Sequence, residues 1–502
     1  MSDLQSIVNR LFLEQPGISP SRQHRLYTLI KQAILDGRLT GGAALPSTRA
    51  LAQELGIARN TAIHAYEQLL AEGFVVSNCS GTLVAPLQTN LPASAPSHDS
   101  AAALPPLSNR ARRCAGGRLA DDIVSPFKPG VPAVDVFPFH IWRRLMVRAL
   151  QQVVPAELGY RHAAGEPELR QAIADYLRVS RGVRCSADQV IVTGGTQQSI
   201  ELCARLLADP GDTAWIEDPG YQGARTALGL AGLQLMPIPI DDDGIAPREQ
   251  DWWSGPPKVI YTSPSHQYPL GSVLALQRRL RLISKAKAHG SWILEDDYDS
   301  EFRHVGPPLA AMQGLVDDAP VVYLGTFSKS MFPGLRLGFF VLPPTLAERA
   351  ITSLDAWVRT GHVPEQRALA AFIHEGHYSR HLRRMRQLYS KRQHALKLAL
   401  HDAWPLPFTV LGGAGGMHLC VTLPPECSDQ RVAARARQLG LRPSPLSSYT
   451  QGAQRHVNGL VLGYGNVGEQ DMPARVRALA SCLLPLEAAV ETEYGALACD
   501  AD

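Results

Sequence analysis

The sequence predicts two domains of different class: a small N-terminal helical domain closed by a β-hairpin, and a large α/β domain. Three observations support this division. The chain has 502 residues, whereas one folded domain usually takes about 100 to 200. A segment rich in Ala, Pro and Ser, residues 85–117, interrupts the periodic patterns. Beyond it, strand-like and helix-like stretches alternate, which is typical of an α/β domain.

The composition of the chain sets the domain boundaries. We place the N-terminal domain at residues 1–85, a flexible linker at 86–120, the α/β domain at 121–490 and a tail at 491–502. The linker shows no helical or strand periodicity and holds few large apolar side chains, so burial cannot offset its ordering entropy and we expect a semi-extended segment.

Charge and cysteine content exclude several functional classes. With 45% hydrophobic and 19% charged residues and a net charge of +3, the chain is of a globular type that has no general attraction for polyanions. Its eight cysteines contain no C-x-x-C pair, so neither a disulfide framework nor a metal site is predicted. No apolar run reaches the roughly 18 residues of a membrane helix and no signal peptide is evident, so we expect a cytoplasmic protein without a membrane partner.

The N-terminal domain has the pattern of a helix-turn-helix. "SRQHRLYTLIKQAILDGRL" spaces its apolar residues as one helix face would, at Leu26, Ile30, Ile34 and Leu39. In "LPSTRALAQELGIARNTAIHAYEQLLAEGFVV", Ser47 is a candidate N-cap, Gly56 ends the second helix, and Arg59 begins a third. The third helix is predicted to bury Ile63, Tyr66 and Leu70.

A β-hairpin, "FVVSNCSGTLVA", follows these helices and makes the unit a winged helix. In such a unit the start of the last helix faces DNA bases, and the first helix and the wing touch the backbone. The residues predicted to contact double-stranded operator DNA are Arg59, Asn60, Thr61 and His64 on that helix, with Arg49 and the Ser80–Gly81 tip at phosphates or the minor groove. The alternative is that Arg59 and Asn60 only open a solvated helix.

The second domain reads as strands followed by polar turns. "QVIVTGGTQQSIELCARLL" is a buried strand, a Gly turn and a helix, and "PKVIYTSPSH", "SWILEDDY" and "VVYLGTFS" are further strands. Ligands of mostly parallel or mixed sheets bind at the carboxyl ends of the strands. Gly195, Thr196 and Gln197 lie where a helix N-terminus could hold a phosphate, although such a turn is also a common tight connection. Tyr221, after a Pro-Gly turn, could stack on a flat ring or simply pack.

Two further motifs complete a candidate cofactor site. Asp296 and Tyr298 lie two residues apart at the end of an apolar strand, so they can face one ligand. "YLGTFSKSMFPGLRLGFF" contains Lys329. An amine beside a phosphate site, a ring, a carboxylate and a phenol is what pyridoxal 5'-phosphate (PLP) requires, because the lysine forms a Schiff base and the carboxylate keeps the pyridine nitrogen protonated. Lys329 is then the catalytic residue, and the remaining phosphate ligands are Thr326, Ser328 and Arg336.

The ordered motifs resemble those of a known family. From about residue 125 to 485, "GYRHAAGEPELRQAI", "VTGGTQQ", "DPGYQGAR", "SPSHQYPLG", "EDDYDSEF" and "GTFSKSMFPGLRLGF" resemble PLP-dependent aminotransferases of fold type I. The N-terminal domain resembles the GntR family, with His64 where many relatives have arginine. Together they resemble the MocR family of transcriptional regulators. The resemblance implies that Lys329 binds PLP, that Asp296, Tyr298 and Tyr221 hold its ring, and that Tyr160 reaches the neighbouring phosphate in a domain-swapped homodimer.

Two departures from the enzyme pattern bear on function. Tyr268 stands where such enzymes have an asparagine, and Val461 stands where an arginine binds the substrate α-carboxylate, with Arg455 as a possible substitute. We therefore expect a regulator that senses PLP, with vitamin B6 metabolism as a plausible target. The alternatives are a regulator that senses an amino compound through resident PLP, and an aminotransferase with an accessory DNA-binding domain; whether any transamination occurs, the operator and the sign of regulation stay open.

Overall fold

The chain divides into two units, Met1–Pro106 and Leu107–Asp502, in the computed structural model. The structure describes residues 21–78, 81–86, 108–114, 124–306, 309–451 and 457–483. The division between the units falls inside the stretch that the sequence predicts as a linker. Within the described ranges, no helix is both long and apolar enough to cross a membrane.

The first unit is the predicted winged helix. Its elements are α1 (Arg22–Leu35), α2 (Thr48–Leu55), α3 (Arg59–Ala71), β1 (Val75–Asn78) and β2 (Gly81–Val84). The two strands pair antiparallel as a hairpin. The predicted caps of α2 are confirmed: Ser47 Oγ accepts a hydrogen bond from the Ala50 amide at 3.2 Å, and Gly56 ends the helix with φ 61°.

The core of this unit differs from the prediction at one helix face. Leu26, Ile30, Ile34 and Leu39 are buried as predicted. Leu70, however, is 47% exposed, and α3 buries Ala62, Ala65, Tyr66 and Leu69 instead. Of the three predicted residues Tyr66 is buried, whereas Ile63 is half-buried and Leu70 is exposed. The predicted face was wrong at these two positions, because small alanines, which carry little hydrophobic signal, line the inner face of α3.

The second unit is built on an eight-stranded sheet of order β3-β10-β9-β8-β7-β4-β5-β6. Strands β4, β5, β7, β8 and β9 run parallel, whereas β10 is antiparallel to both β9 and β3, and β6 is antiparallel to β5. The strands are β3 (Val190–Thr193), β4 (Thr213–Asp218), β5 (Gln234–Asp241), β6 (Gly244–Ile245), β7 (Val259–Thr262), β8 (Trp292–Asp297), β9 (Val321–Thr326) and β10 (Gly338–Val341).

Helices flank this sheet, and a smaller antiparallel sheet of order β11-β12-β14-β13 follows it. The helices are α4 (Asn109–Cys114), α5 (Phe139–Gln151), α6 (Pro167–Ser180), α7 (Thr196–Leu207), α8 (Gln222–Leu230), α9 (Glu249–Ser254), α10 (Leu276–His289), α11 (Pro344–Trp357), α12 (Val363–His374), α13 (His377–Ala403), α14 (Asp429–Gln438) and α15 (Met472–Ser481). The small sheet contains β11 (Val410–Leu411), β12 (His418–Thr422), β13 (Ser444–Pro445) and β14 (Gly459–Gly463).

The central strands are buried on both faces, which explains their continuous apolar runs. Every residue of β3, β7, β9 and β10 is buried, as expected for a sheet covered by helices on each side. Since β10 is antiparallel to β3 and β9, the carboxyl ends of β3, β4, β7, β8 and β9 lie at the same edge. The polar motifs predicted for the cofactor site follow the strands at this edge.

A short helix, α4, lies in the predicted linker, where the sequence shows no helical periodicity. Ser108 Oγ accepts a hydrogen bond from the Ala111 amide at 3.2 Å, and α4 packs on α8. A helix of 6 residues is too short to show a periodic apolar pattern in the sequence. The cap and the packing on α8 account for the helix.

We predict that the core of the first unit depends on the inner face of α1. Leu26 is fully buried, whereas Leu35 on the same helix is 49% exposed. Leu26→Ala is expected to lower the free energy of unfolding of this unit by about 2 to 5 kcal/mol, because it leaves a cavity. Leu35→Ala is the matched control, and urea unfolding of the full chain measures both. Equal losses in the two variants would contradict the assigned core.

Candidate functional site

A cavity of about 260 Å³ opens at the carboxyl edge of the large sheet. It brings together most of the residues that the sequence predicts for a cofactor. The predicted residues that line it are Thr196, Gln197, Tyr221, Asp296, Tyr298, Thr326, Ser328, Lys329 and Arg336. Residues that the prediction did not assign to the site also line it: Pro129, Gly130, Tyr261, Asp299, Pro333, Met417 and His418.

One end of the cavity suits a phosphate. Helix α7 begins at Thr196, so its free amide groups and dipole favour an anion there. A Cβ on Gly195, which has φ 107°, would lie 3.5 Å from the guanidinium of Arg336. Thr326 Oγ1 accepts a hydrogen bond from the Ser328 amide at 3.2 Å. A helix N-terminus, two hydroxyls and one arginine thus converge at this end.

Lys329 extends from the turn after β9 across the cavity. Its Nζ donates a hydrogen bond to the Gly130 carbonyl at 2.7 Å. Gly130 has φ 73°, a backbone conformation that favours glycine, and a Cβ there would lie 2.6 Å from that Nζ and displace the amine. Burial lowers the pKa of Lys329, nearby Asp299 and Asp296 oppose this, and Lys128 adds to it. A lowered pKa makes the amine more available as a nucleophile.

Asp296 forms the opposite, acidic end of the cavity. Its Oδ2 accepts a hydrogen bond from Tyr261 Oη at 2.5 Å. Its Oδ1 is buried and has no hydrogen-bond partner among the described residues. Burial raises the pKa of Asp296 to about 7, although the Tyr261 hydrogen bond lowers it. A buried carboxylate oxygen without a donor is a site for a cationic N–H group of a ligand.

Aromatic rings form the walls between these ends. The rings of Tyr221 and Tyr268 lie edge to face with centroids 5.9 Å apart. Tyr268, which stands where the enzymes commonly have an asparagine, also lines the cavity. Its Oη lies 3.1 Å from Oη of Tyr449, which is not part of the lining. Burial raises the pKa of Tyr221 to about 12, and the phenol stays neutral.

Val461 lies behind this aromatic wall. It is fully buried on β14 in an apolar cluster with Cys420, Leu446 and Tyr449, against which Tyr268 packs. The position at which the resemblance to the enzymes implies a carboxylate-binding arginine is therefore buried and apolar. Arg455, the possible substitute, lies outside the described residues.

A buried group of three residues adjoins the cavity: His266, Asp299 and His418. Their ligating atoms lie within 4.8 Å of one another, an arrangement that could hold a cation, although the sequence predicts no metal site. His266 Nδ1 lies 3.0 Å from Asp299 Oδ2, and His418 Nε2 donates to the Pro269 carbonyl at 3.0 Å. His266 Nε2 is buried and has no hydrogen-bond partner among the described residues. Burial lowers the pKa of His418 to about 3, so its ring is neutral.

Two predicted cofactor residues, Tyr160 and Gly195, are not part of the cavity lining, and Tyr160 is the more distinct case. It is 91% exposed, with the Arg359 guanidinium 5.4 Å from its ring centroid. Gly195 lies just behind the lining, against Arg336. A role of Tyr160 in a neighbouring subunit stays a prediction.

The predicted DNA-contacting residues lie on the surface of the first unit. Arg49, Arg59, Asn60, His64 and Gly81 are exposed, and Thr61 is partly exposed. Three of them occupy the first turn of α3, the position that reads base edges in a winged helix. His64 Nδ1 lies 3.2 Å from Glu67, which competes with a phosphate for that ring. Ser80 lies outside the described residues.

Comparison with known proteins follows the same division into two units. A family model described as bacterial regulatory proteins of the gntR family matches residues 22–84, and one for aminotransferases of class I and II matches residues 144–449. A relative named "Probable rhizopine catabolism regulatory protein MocR", from Rhizobium meliloti, is 40% identical over 475 residues, or 92% of this chain and 94% of that protein. The chain belongs to the MocR family of transcriptional regulators.

Other relatives agree with this assignment. The HTH-type pyridoxine biosynthesis transcriptional regulator PdxR of Corynebacterium glutamicum is 31% identical over 447 residues, covering 88% of this chain and 92% of that protein. Kynurenine aminotransferase of Pyrococcus horikoshii matches with a TM-score of 0.67 and 25% identity over 75% of this chain and 96% of that one. This MocR regulator therefore joins a GntR-type DNA-binding domain to a domain of the PLP-dependent aminotransferase fold.

We predict that ionisation of Asp296 destabilises the protein without cofactor. Its folded-state pKa of about 7 lies above the ordinary 3.8, so the folded state holds a proton that the unfolded chain has lost. The free energy of unfolding then falls as the pH rises from about 4 to about 7. Asp296→Asn is expected to remove on the order of a few kcal/mol of that fall.

Urea unfolding of the cofactor-free protein between about pH 5 and pH 8 measures this effect. Asp188→Asn is the matched control, since the Asp188 side chain is 95% exposed, and it should follow the unmodified protein. If the profile of Asp296→Asn also parallels that of the unmodified protein, the assigned burial of this carboxyl is wrong.

We predict that Arg59 contributes to sequence recognition. Arg59→Ala is expected to weaken operator binding by about 1 to 3 kcal/mol and to relax the preference at one base pair, if its guanidinium reads a base edge. Fluorescence anisotropy with operator variants at several salt concentrations measures both. Arg38→Ala is the control, because Arg38 is paired with Asp36 at 2.7 Å. A uniform loss across all operator variants would restrict Arg59 to phosphate contact.

Proposed function

We propose that this MocR regulator binds PLP covalently through Lys329 and adjusts its binding to DNA according to PLP occupancy. The observation that carries the proposal is the buried, unpartnered Oδ1 of Asp296 at the end of a cavity that also contains Lys329. When bound, PLP supplies an aldehyde that an amine can occupy and a ring that withdraws electrons. The described residues fit each part of that group.

The fit rests on complementary charge at each end of the cavity. The N-terminus of α7 and Arg336 suit the phosphate, which needs positive potential and N–H donors. Asp296 suits the pyridine nitrogen, because a protonated nitrogen there would pair the orphaned oxygen and hold the carboxyl ionised. Tyr221 supplies an apolar ring face beside the phosphate end. Lys329 lines the same cavity as these groups.

The wall around Val461 disfavours α-amino acids as effectors. Among the described residues that line the cavity, Lys329 and Arg336 are the cations, and both are assigned to PLP. An α-carboxylate would therefore lose an arginine contact of about 2 to 4 kcal/mol, or roughly a hundredfold in affinity. This favours PLP itself as the signal. The second candidate is an amine without an α-carboxylate that reacts with resident PLP, which the same apolar wall tolerates.

The path from the cavity towards the linker is short. Tyr221, which lines the cavity, immediately precedes α8, and α8 packs on α7 and on the linker helix α4. A ligand that shifts Tyr221 therefore acts on the helix against which the linker docks. We infer that occupancy changes the position of the linker and, through it, the DNA-binding domain.

We infer that the regulator acts as a homodimer. Helix α5 and the chain after it expose Phe139, Val147, Leu150 and Val154. Several exposed apolar side chains on one stretch of chain are typical of a protein interface. Tyr160, a few residues further on, would then extend towards the partner's phosphate site, in a domain-swapped arrangement. A dimer also suits a pair of operator half-sites.

The target and location are part of the same proposal. A relative is named for regulation of pyridoxine biosynthesis, and a PLP-responsive regulator suits control of vitamin B6 metabolism. Access to chromosomal DNA places the protein in the cytoplasm.

The deciding experiment uses the full chain, freed of cofactor and titrated with PLP. We predict a visible absorbance band in the unmodified protein and in Lys287→Ala, an exposed lysine of α10, but no such band in Lys329→Ala. Operator affinity is recorded at each step and is expected to follow the band. No band in the unmodified protein would overturn the assignment of Lys329.

The same samples separate the alternatives. If the band forms but operator affinity changes only after an amine is added, PLP is a resident cofactor and the amine is the signal. An amino acid and its decarboxylated amine are the matched ligands for that test, and the amine is expected to act at a lower concentration. Rapid release of a keto acid from the amino acid would instead support an aminotransferase.

A further inference from the structure

A buried pair of side chains, His266 and Asp299, adjoins the cavity and has no part in the function proposed above. His266 Nδ1 lies 3.1 Å from Oδ1 and 3.0 Å from Oδ2 of Asp299. The same Nδ1 lies 3.1 Å from Oη of Tyr298, which lines the cavity. One nitrogen therefore faces both a carboxylate and a phenol. Both members of the pair are almost completely buried.

The proton of this nitrogen can be assigned from its neighbours. An ionised carboxylate only accepts hydrogen bonds, so Nδ1 carries a proton and donates it to Asp299. This holds for a neutral ring and for a charged one. A protonated Nδ1 cannot accept from Tyr298, so in that contact the phenol oxygen is the acceptor. The hydroxyl hydrogen of Tyr298 must then point away from His266.

The phenol keeps that hydrogen. Burial raises the pKa of Tyr298 well above its ordinary value, and the nearby Asp299, Tyr268, Asp296 and Tyr261 raise it further. Tyr298 is half-buried and lines the cavity. The hydroxyl group of Tyr298 is neutral and its oxygen is held by His266. Its hydrogen can therefore be donated towards the cavity.

The backbone around the pair is shaped to hold it. Gly416 has φ 79°, and a Cβ there would lie 2.6 Å from Asp299 Oδ2 and 2.7 Å from His266 Nδ1. Any side chain at this position would displace the pair. The hydrogen bond between His266 and Asp299 is thus enclosed by main chain and protected from water, which strengthens it.

We propose that His266 and Asp299 are positioning residues that orient Tyr298 as a hydrogen-bond donor into the cavity. The proposal rests on the function proposed above, since the acceptor is the ring hydroxyl oxygen of PLP. A donor fixed in advance stabilises negative charge on that oxygen without reorganisation when the ligand binds. Neither residue needs to touch PLP for this effect.

The test uses the PLP-loaded full chain and two substitutions of one residue. His266→Leu removes the Nδ1–H group, whereas His266→Asn keeps an N–H donor near the same position. His266→Leu is expected to shift the absorbance maximum of bound PLP and to weaken PLP binding roughly fivefold, the loss of about one hydrogen bond. His266→Asn is expected to stay closer to the unmodified protein in both measurements.

A double-substitution cycle with Tyr298→Phe decides whether His266 acts through Tyr298. In that background His266→Leu should give no further shift and no further loss of affinity. If His266→Leu fails to fold, Asp299→Ala tests the same role. It removes the carboxylate that accepts from His266 Nδ1, so the ring no longer orients the Tyr298 hydroxyl and the same shift and loss of affinity are expected. His304→Leu is the control, since His304 Nε2 lies 3.1 Å from Tyr464 Oη away from the cavity lining.

The outcomes separate this inference from the proposed function. An unmodified protein without an absorbance band contradicts PLP binding itself. A normal band that His266→Leu and Asp299→Ala leave unchanged overturns the positioning role alone. A shift that persists in full in the Tyr298→Phe background also overturns it, because His266 would then act independently of the phenol.

Discussion

The buried carboxyl group of Asp296 is the constraint on which the cavity depends. β8 carries it into the interior, where one oxygen is paired with Tyr261 and the other has no partner among the described residues. Burial, together with the nearby carboxylates of Asp297, Glu217 and Asp299, raises its pKa to about 7, and burial also lowers the pKa of Lys329. Burial thus disfavours the charged form of both groups. A cationic ring nitrogen and a carbonyl carbon are the two features that would satisfy both at once, and PLP contains both.

The strand-end residues were the part of the site that the sequence could predict. Asp296 and Lys329 each follow an apolar run that could only be a buried strand, and strands of such a sheet end at one edge. The structure confirms that edge, with β8 and β9 adjacent and in parallel register. Thr196 and Tyr221 follow from the same rule, because each begins a helix directly after a strand or its turn.

Residues that reach the cavity from elsewhere could not be predicted in this way. Gly130 lies in an irregular segment between α4 and α5, and His418 comes from β12 of the second sheet. Their arrival depends on how the two sheets pack, which local periodicity does not encode. In the sequence, Asp299 is one of several acids in an acidic run. Its proposed positioning role depends on the contact with the His266 ring, which the sequence does not show. The error at Leu70 is of another kind, because alanines hid the inner face of α3.

The apolar cluster around Val461 bears on why this fold can serve as a sensor. An enzyme that turns over amino acids needs a cationic side chain that binds the substrate α-carboxylate and releases it in each cycle. Here that place is occupied by Val461, Cys420 and Tyr449, with Tyr268 sealing the side towards the cavity. An arginine there would have to be buried without an acid partner, at a cost of several kcal/mol. If PLP is the signal, as proposed, the binding energy at the cavity comes from the groups that would hold PLP, and its occupancy would change without a substrate being consumed. Helix α4 in the linker packs on α8, the helix that Tyr221 precedes. In the proposed function, a change at the cavity is transmitted to the linker through this contact.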